Sequence, residues 1–293
     1  MRTQLAACYQ PGRLGLSFEL FPPRTAKGDE SLFEHVADLM QFSPDFLTCT
    51  YGAGGSTRNK TLEIVEQVKD RFKAPVASHL TVVGGSIEEL RDYLQEAGDR
   101  GVDYIVALRG DPPKGETEFR QAPGGLRYAN ELVDLIRSEY DHFGVAVAGY
   151  PEVHQEAESA EVDLLNLKRK VESGADVVIT QLFYDNADFW RFREQYQQAG
   201  ITVPLVPGIL PVTNLAQIQR ITALCGAQLP ESFVARLNEH PTDDDWQFQV
   251  GVEFAVQQVQ ELIDGGAPGI HFYVLNKSQA TSAVLQTVRR TAM

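Results

Sequence analysis

Two hydrophobic periods alternate along most of this chain. Residues 17–21 repeat every second position, which puts Phe18 and Leu20 on one face of a strand and Ser17, Glu19 and Phe21 on the other. Pro22 and Pro23 cannot extend a strand ladder, so the strand ends directly after Phe21 and leaves Glu19 at its C-terminal end. The period then changes to that of a helix over residues 29–41, where Leu32, Phe33, Val36, Leu39 and Met40 share a face, until Ser43 and Pro44 stop it. The same reading predicts strands over 45–51, 75–81, 104–108, 143–149, 176–183, 203–209 and 270–275. Between and after them it predicts helices over 57–72, from 86 onward, 129–140, 159–173, 186–198, 213–224 and 278–290. Ser86 and Glu89 form a capping box. Residues 230–266 break the rhythm with a short helix and then a longer one, for which Thr242 is the expected cap, with Asp243, Asp244 and Asp245 in its first turn.

Eight strands alternating with helices through short connections predict an α/β fold, a (β/α)8 TIM barrel with a helical insertion before the eighth strand. A doubly wound open sheet is the competitor. The barrel is preferred because no linker or charge run divides the 293 residues, so that 1–293 reads as a single catalytic domain.

Composition narrows the function classes. There is no apolar run of about twenty residues, and the first ten residues lack the pattern of a signal or transit peptide, so a cytoplasmic protein is expected. Cys8, Cys49 and Cys225 are far apart and odd in number, which argues against a disulfide framework, a zinc site or a redox pair. A formal charge of -14 without a basic stripe argues against nucleic acid.

In a barrel, chemistry gathers at the C-terminal ends of the strands. There the chain places Glu19, then Thr48, Thr50 and Tyr51, then His79 and Thr81, then Arg109 and Asp111. Tyr150 and Glu152, Thr180 and Gln181, and His271 and Tyr273 follow. Singly each is explained by a structural hydrogen bond; together at one mouth they indicate a ligand site. No G-x-S-x-G elbow or P-loop occurs, and residues 52–57 carry only two of the three glycines of G-x-G-x-x-G. The six histidines show no metal-ligand spacing, so no metal is expected. Glu19 has two readings from its own stretch, an edge glutamate paired with Arg24 or a catalytic acid; among phenylalanines it is expected to have a raised pKa.

Nine motifs then occur in one order. They are F-E-L-F-P-P-R at 18–24, T-Y-G-A at 50–53, H-L-T at 79–81, L-R-G-D at 108–111, Y-P-E-V-H at 150–154, D-L-L-N-L-K-R-K at 163–170, T-Q-L-F at 180–183, P-G-I-L-P-V at 207–212 and H-F-Y-V-L-N at 271–276. Across nearly the whole chain this series resembles bacterial methylenetetrahydrofolate reductase. The resemblance implies an FAD-bearing barrel that uses NADH or NADPH to reduce 5,10-methylenetetrahydrofolate to 5-methyltetrahydrofolate by ping-pong hydride transfer, in one-carbon metabolism and methionine supply. It implies Glu19 as the general acid toward a folate nitrogen, Asp111 beside flavin and pterin, and Gln181, Tyr273 and Lys277 as substrate contacts. Thr50, Tyr51, Ala53, His79, Arg109, Gly110, Asp111, Tyr128, Tyr150, His154, Ala157, Asp163, Asn166, Arg169 and Lys170 fall where the family contacts FAD. A homo-oligomer, dimer or tetramer, and the absence of a regulatory domain are expected as well.

Three features depart from the family. Lys277 stands where an arginine is usual, Ile221 where an aromatic would stack on substrate, and the loop over 113–126 is longer. Two other readings remain in view: a cofactor-free barrel lyase or aldolase, against which counts the lack of a lysine at an inward strand end, and a catalytically silent folate or flavin binding protein.

Overall fold

The structure is a computed structural model that describes residues 4–23, 25–51, 58–112 and 118–288. Its strands are β1 (Gly15–Leu20), β2 (Phe46–Cys49), β3 (Val76–Thr81), β4 (Tyr104–Leu108), β5 (Gly144–Gly149), β6 (Val177–Thr180), β7 (Leu205–Val206), β8 (Gly208–Ile209) and β9 (Gly269–Tyr273). All pair in parallel, in the order β7-β6-β5-β4-β3-β2-β1-β9-β8. The two ends of that order are neighbours in sequence, so the sheet wraps into a nearly closed (β/α)8 barrel. The expected seventh strand is interrupted rather than continuous, because Pro207 has no N–H to give the ladder. β7 pairs with β6 and β8 with β9, while Gly208 N donates to Thr180 Oγ1 at 2.9 Å and the Pro207 carbonyl accepts from His271 N at 3.0 Å.

Around the barrel lie α1 (Ala26–Met40), α2 (Arg58–Phe72), α3 (Ile87–Asp99), α4 (Ala129–Glu139), α5 (Ala160–Glu172), α6 (Asn186–Gln198), α7 (Leu215–Cys225) and α10 (Gln279–Thr287). α8 (Glu231–Leu237) and α9 (Asp244–Asp264) form the expected insertion before the last strand. The Ser86 and Glu89 capping box is present. The cap of α9 is Asp243 rather than Thr242, its carboxylate accepting from Trp246 N; an anion there meets the positive end of the helix dipole as well as a free N–H.

Alternation along the strands divides the core in two. Leu16, Phe18, Leu20, Leu47, Ile105, Val145, Val178 and Phe272 point outward and are buried with the helices. Phe46, Ala77, Tyr104, Val106, Ala146, Val177, Ile179 and Val206 fill the interior. A 3-10 helix, Leu5–Tyr9, completes that inner cluster with Leu5, Cys8 and Tyr9, closing the N-terminal end of the barrel.

A repeated device fixes that end. Asp45, Asp103 and Asp176 each stand immediately before an even-numbered strand, and each takes the first free N–H of the strand before it. Asp45 Oδ2 accepts from Leu16 N at 2.9 Å, Asp103 Oδ2 from Val76 N at 2.9 Å and Asp176 Oδ2 from Val145 N at 2.7 Å. Arg13, Lys69 and Arg137 respectively neutralise the three carboxylates. Charge-assisted bonds of this kind are roughly twice as strong as neutral ones.

Candidate active site

A cavity of ≈ 670 Å³ opens at the C-terminal ends of the strands. Its floor is set by β1, whose inward face carries Ser17 and then Glu19, in register with Thr48 on β2 and Tyr273 on β9. Glu19 is 6% exposed, and its Oε2 lies 3.2 Å from His79 Nε2 and 3.7 Å from His271 Nε2. Burial alone pushes this carboxyl up, but His79 and His271 together outweigh it and hold it down to about 2. The raised pKa expected from the flanking phenylalanines is therefore overturned. Phe18 faces the helices, and Phe21, beyond the strand end, lines the same cavity, but the two imidazoles within 3.7 Å of the carboxylate decide its titration.

Thr50, Tyr51, His79, Arg109, Gly110, Asp111, Tyr150, His154, Gln181 and Tyr273 line the same cavity. Gly110 has φ 88°, and a Cβ there would lie within 3 Å of Val83 and Thr81, so only glycine keeps this wall flat. Arg109 makes a two-pronged ion pair with Glu156, at 2.6 and 2.7 Å, and lies 5.2 Å from the ring of Phe119. Tyr150 and His154 meet edge to face at 4.7 Å. Between them Val153 adopts φ 68°, an uncommon conformation for a β-branched residue, which marks the loop as strained next to the site. Thr48 Oγ1 and Thr81 Oγ1 are buried without a hydrogen-bond partner among the described residues.

The other expected contacts lie outside this lining. Lys170 is directly behind it, its Nζ donating to the Ala148 carbonyl at 2.6 Å and lying 5.8 Å from the Tyr150 ring; burial pushes its pKa down to about 8 against the pull of Asp163. Asp163 accepts from His154 N at 3.0 Å, and Ala157 N donates to the His154 carbonyl, so both shape the loop. Asn166 and Arg169 hydrogen-bond to each other on an exposed part of α5. Tyr128 is 48% exposed at the start of α4. Ala53 and Arg24 lie outside the described residues. Lys277 lines an adjoining cavity of ≈ 360 Å³ with His35, Gln217 and Gln279; Leu210, Tyr273 and Leu275 border both cavities.

The sequence reading does not reach Leu224 and Cys225, which line the main cavity from α7 beside Ile221. Nothing in a helical period distinguishes a face turned to a cavity from one turned to a core. Glu152, at the end of β5, takes no part in the lining. Its Oε2 accepts from Gln228 N at 2.9 Å, Oε1 is buried without a partner, and burial pushes the carboxyl up to about 7 against the Gln228 hydrogen bond. Its folded form holds a proton that the unfolded chain releases above pH 4.5, so stability falls as pH rises from 4.5 through 7. Glu152→Gln is expected to remove this slope, melting level with the parent near pH 4.5 and more stable by about 1–2 kcal/mol above pH 7 after allowance for solvent screening. Thermal melts between pH 4.5 and 8 check it; a constant difference at every pH would refute the assignment.

A parallel barrel with its polar groups gathered in one cavity at the strand C-termini is the architecture of a (β/α)8-barrel enzyme. Among solved structures, similar folds include a Clostridium thermocellum protein described as binding two copies of 5-methyl-5,6,7,8-tetrahydrofolic acid, at TM-score 0.64 and 14% identity over 98% of both chains. Another is dihydropteroate synthase from Xanthomonas albilineans, at TM-score 0.53 and 14% identity, covering 95% of this chain and 94% of that one. At such identities these show the fold alone. The family model for methylenetetrahydrofolate reductase matches residues 4–289. The 5,10-methylenetetrahydrofolate reductase of Escherichia coli is 38% identical over 94% of this chain and 91% of its own length. Methylenetetrahydrofolate reductase (NADH) 1 of Arabidopsis thaliana is 37% identical over 95% of this chain, which spans about half, 49%, of that plant protein. The chain belongs to the methylenetetrahydrofolate reductase family. No helix among the described residues is long and apolar enough to cross a membrane.

Proposed function

We propose that this protein reduces 5,10-methylenetetrahydrofolate to 5-methyltetrahydrofolate with electrons from NADH or NADPH carried through FAD. The observation that carries the reading is Glu19, a buried carboxylate between two imidazoles at the floor of a ≈ 670 Å³ cavity whose wall also presents Asp111 and Gln181. The names of the E. coli and Arabidopsis relatives support the reaction, and the latter supports NADH as the donor.

The residues present fit FAD. The buried hydroxyl of Thr81 is unpartnered among the described residues and lies in the cavity wall, Arg109 stands at the rim in its ion pair with Glu156, and Lys170 lies behind. Thr50, Tyr51, His79, Arg109, Gly110, Tyr150 and His154 would hold the cofactor, which when bound supplies the hydride transfer between nicotinamide and folate. Glu19 delivers a proton to the folate nitrogen. Held low between His79 and His271, its carboxyl is ionised at rest, so the proton it hands to the folate is one it must first take up. Gln181 and Tyr273 border the substrate space, and Tyr273 is fixed by its hydroxyl donating to the Thr180 carbonyl at 2.7 Å. The adjoining cavity, with Lys277, would receive the carboxylate end of the folate. Lys277→Ala is expected to raise KM for folate about tenfold, the loss of one charged contact, with kcat little changed; steady-state kinetics check it, and a fall in kcat at constant KM would place Lys277 elsewhere.

Lys170 gives a pH dependence. Its folded pKa near 8 means the ammonium is lost as pH rises through 8, so binding of the anionic cofactor should weaken between pH 7 and 9 and be accompanied by proton uptake at the upper end. Fluorescence titration of apoprotein with FAD measures this, and Lys170→Met should abolish the slope. The reaction itself is tested by the visible spectrum of the purified protein. A yellow protein is expected, bleached anaerobically by NADH and recoloured by methylenetetrahydrofolate; a colourless protein that FAD does not reconstitute would overturn the reading.

A further inference from the structure

Beneath the cavity, a line of buried polar groups runs from Glu19 down to the plug at the other end of the barrel. His271, 3.7 Å from Glu19 through Nε2, turns Nδ1 onto Ser17 Oγ at 2.7 Å, and Ser17 Oγ lies 3.2 Å from the Tyr9 hydroxyl. Ser17 and His271 are 0% and 1% exposed, and Tyr9 is 3% exposed. The ring of Tyr9 is clamped by the same two strands that carry the acid and the imidazole. A Cβ at Gly15 on β1 would lie 2.3 Å from it, and one at Gly269 on β9 2.7 Å. Packing alone asks only for a phenyl ring at this point, whereas a buried hydroxyl needs a partner.

The donor order follows from the carboxylate. An ionised Glu19 only accepts, so the side of His271 nearest to it is best presented as Nε2–H. A neutral ring then leaves Nδ1 as an acceptor for the Ser17 hydroxyl, whose oxygen in turn accepts from Tyr9. Tyr9 can serve as the fixed donor because burial pushes its own titration far above neutrality.

We propose that Tyr9 is a positioning residue, which through Ser17 holds His271 as the Nε2–H tautomer facing Glu19. The proposal rests on the reading of Glu19 as the acid, and it assigns the N-terminal plug a part in the chemistry at the opposite end of the barrel. Other titratable groups face the line at both ends. Cys8, Asp45 and Tyr104 surround Tyr9, and His79, Tyr273 and Cys49 surround Glu19 and His271, so any shift must be assigned by residue rather than from a bulk titration.

The test is nitrogen-15 NMR of histidine-labelled protein for the parent, Tyr9→Phe and Ser17→Ala, with half-reaction kinetics on the same samples. His271 should show the Nε2–H tautomer in the parent and a mixture of tautomers in both variants. Reduction of the folate should fall about tenfold, as expected for a displaced catalytic group, with a shifted pH profile, while reduction of FAD by NADH is unchanged. Folded variants whose His271 signals and titration match the parent's would overturn the proposal. Ser17→Ala keeps the test decisive if Tyr9→Phe fails to fold. A parent without flavin chemistry whose His271 tautomer still responds would refute the assigned reaction and leave the positioning role standing.

Discussion

Glu19→Gln is expected to slow folate reduction by about 10²–10⁴-fold, the usual contribution of a general acid, while reduction of FAD by NADH keeps most of its rate. The amide has the shape of the carboxylate and fits the same pocket between His79 and His271, but it cannot pass on a proton. In the proposed reaction the folate half needs that proton and the nicotinamide half does not. Anaerobic stopped-flow absorbance separates the two. Equal losses in both halves would mean that Glu19 holds the cofactor rather than protonating the substrate. A second readout follows from the carboxyl being held near 2 in the fold against 4.5 for the free group. Its stabilising contribution is present above pH 4.5 and is lost as pH falls from 4.5 toward 2. The variant's melting temperature should therefore approach the parent's on acidification, whatever the reaction proves to be.

The period-two pattern of residues 17–21 is enough to put Glu19 on the face opposite Phe18 and Leu20, and the structure turns that face into the barrel. It misleads about the acid's titration because alternation reports a side chain's face and not its neighbours. Those neighbours, His79 and His271, lie 60 and 252 residues away and are brought in only by the pairing of β1 with β2 and β9 and of β2 with β3. The same limit separates the contacts that the resemblance implies. Thr50, His79 and Arg109 stand at strand ends and reach the cavity, while Asn166 and Arg169 lie along α5 and meet each other instead. Tyr9 had no periodic signal at all: a five-residue 3-10 helix is too short to show one, and its partners are glycines on two strands. Asp45, Asp103 and Asp176 form a pattern that hydrophobic periodicity does not show. One aspartate directly before each of β2, β4 and β6 is a signal once the barrel is known, since each ties that strand to the one before it.

Gly251→Ala is expected to be the most damaging single methyl group in the insertion. Gly251 is buried in α9, where a Cβ would fall 1.7 Å from the Val212 carbonyl oxygen and 2.7 Å from its carbon. Both atoms are backbone, so no rotamer change relieves the overlap, and either the helix or the segment after β8 must move. Movement is resisted one turn earlier by Gln247, which accepts from Leu215 N at 3.0 Å and donates to the Leu237 carbonyl at 2.6 Å, tying α9 to the starts and ends of its two neighbouring helices. Overpacking against fixed backbone costs about 3 kcal/mol, which lowers Tm by roughly 5 °C in a chain of this size. The effect should reach the site as well. Leu210, just before Val212, borders both cavities, and Ile221, Leu224 and Cys225 stand on the helix that follows. KM for folate should therefore rise in the folded fraction while flavin reduction by NADH does not change. Calorimetry and half-reaction kinetics on one preparation decide it: an unchanged Tm would show that α9 slides freely on the barrel, and a lowered Tm with unchanged KM would separate the insertion from the substrate space.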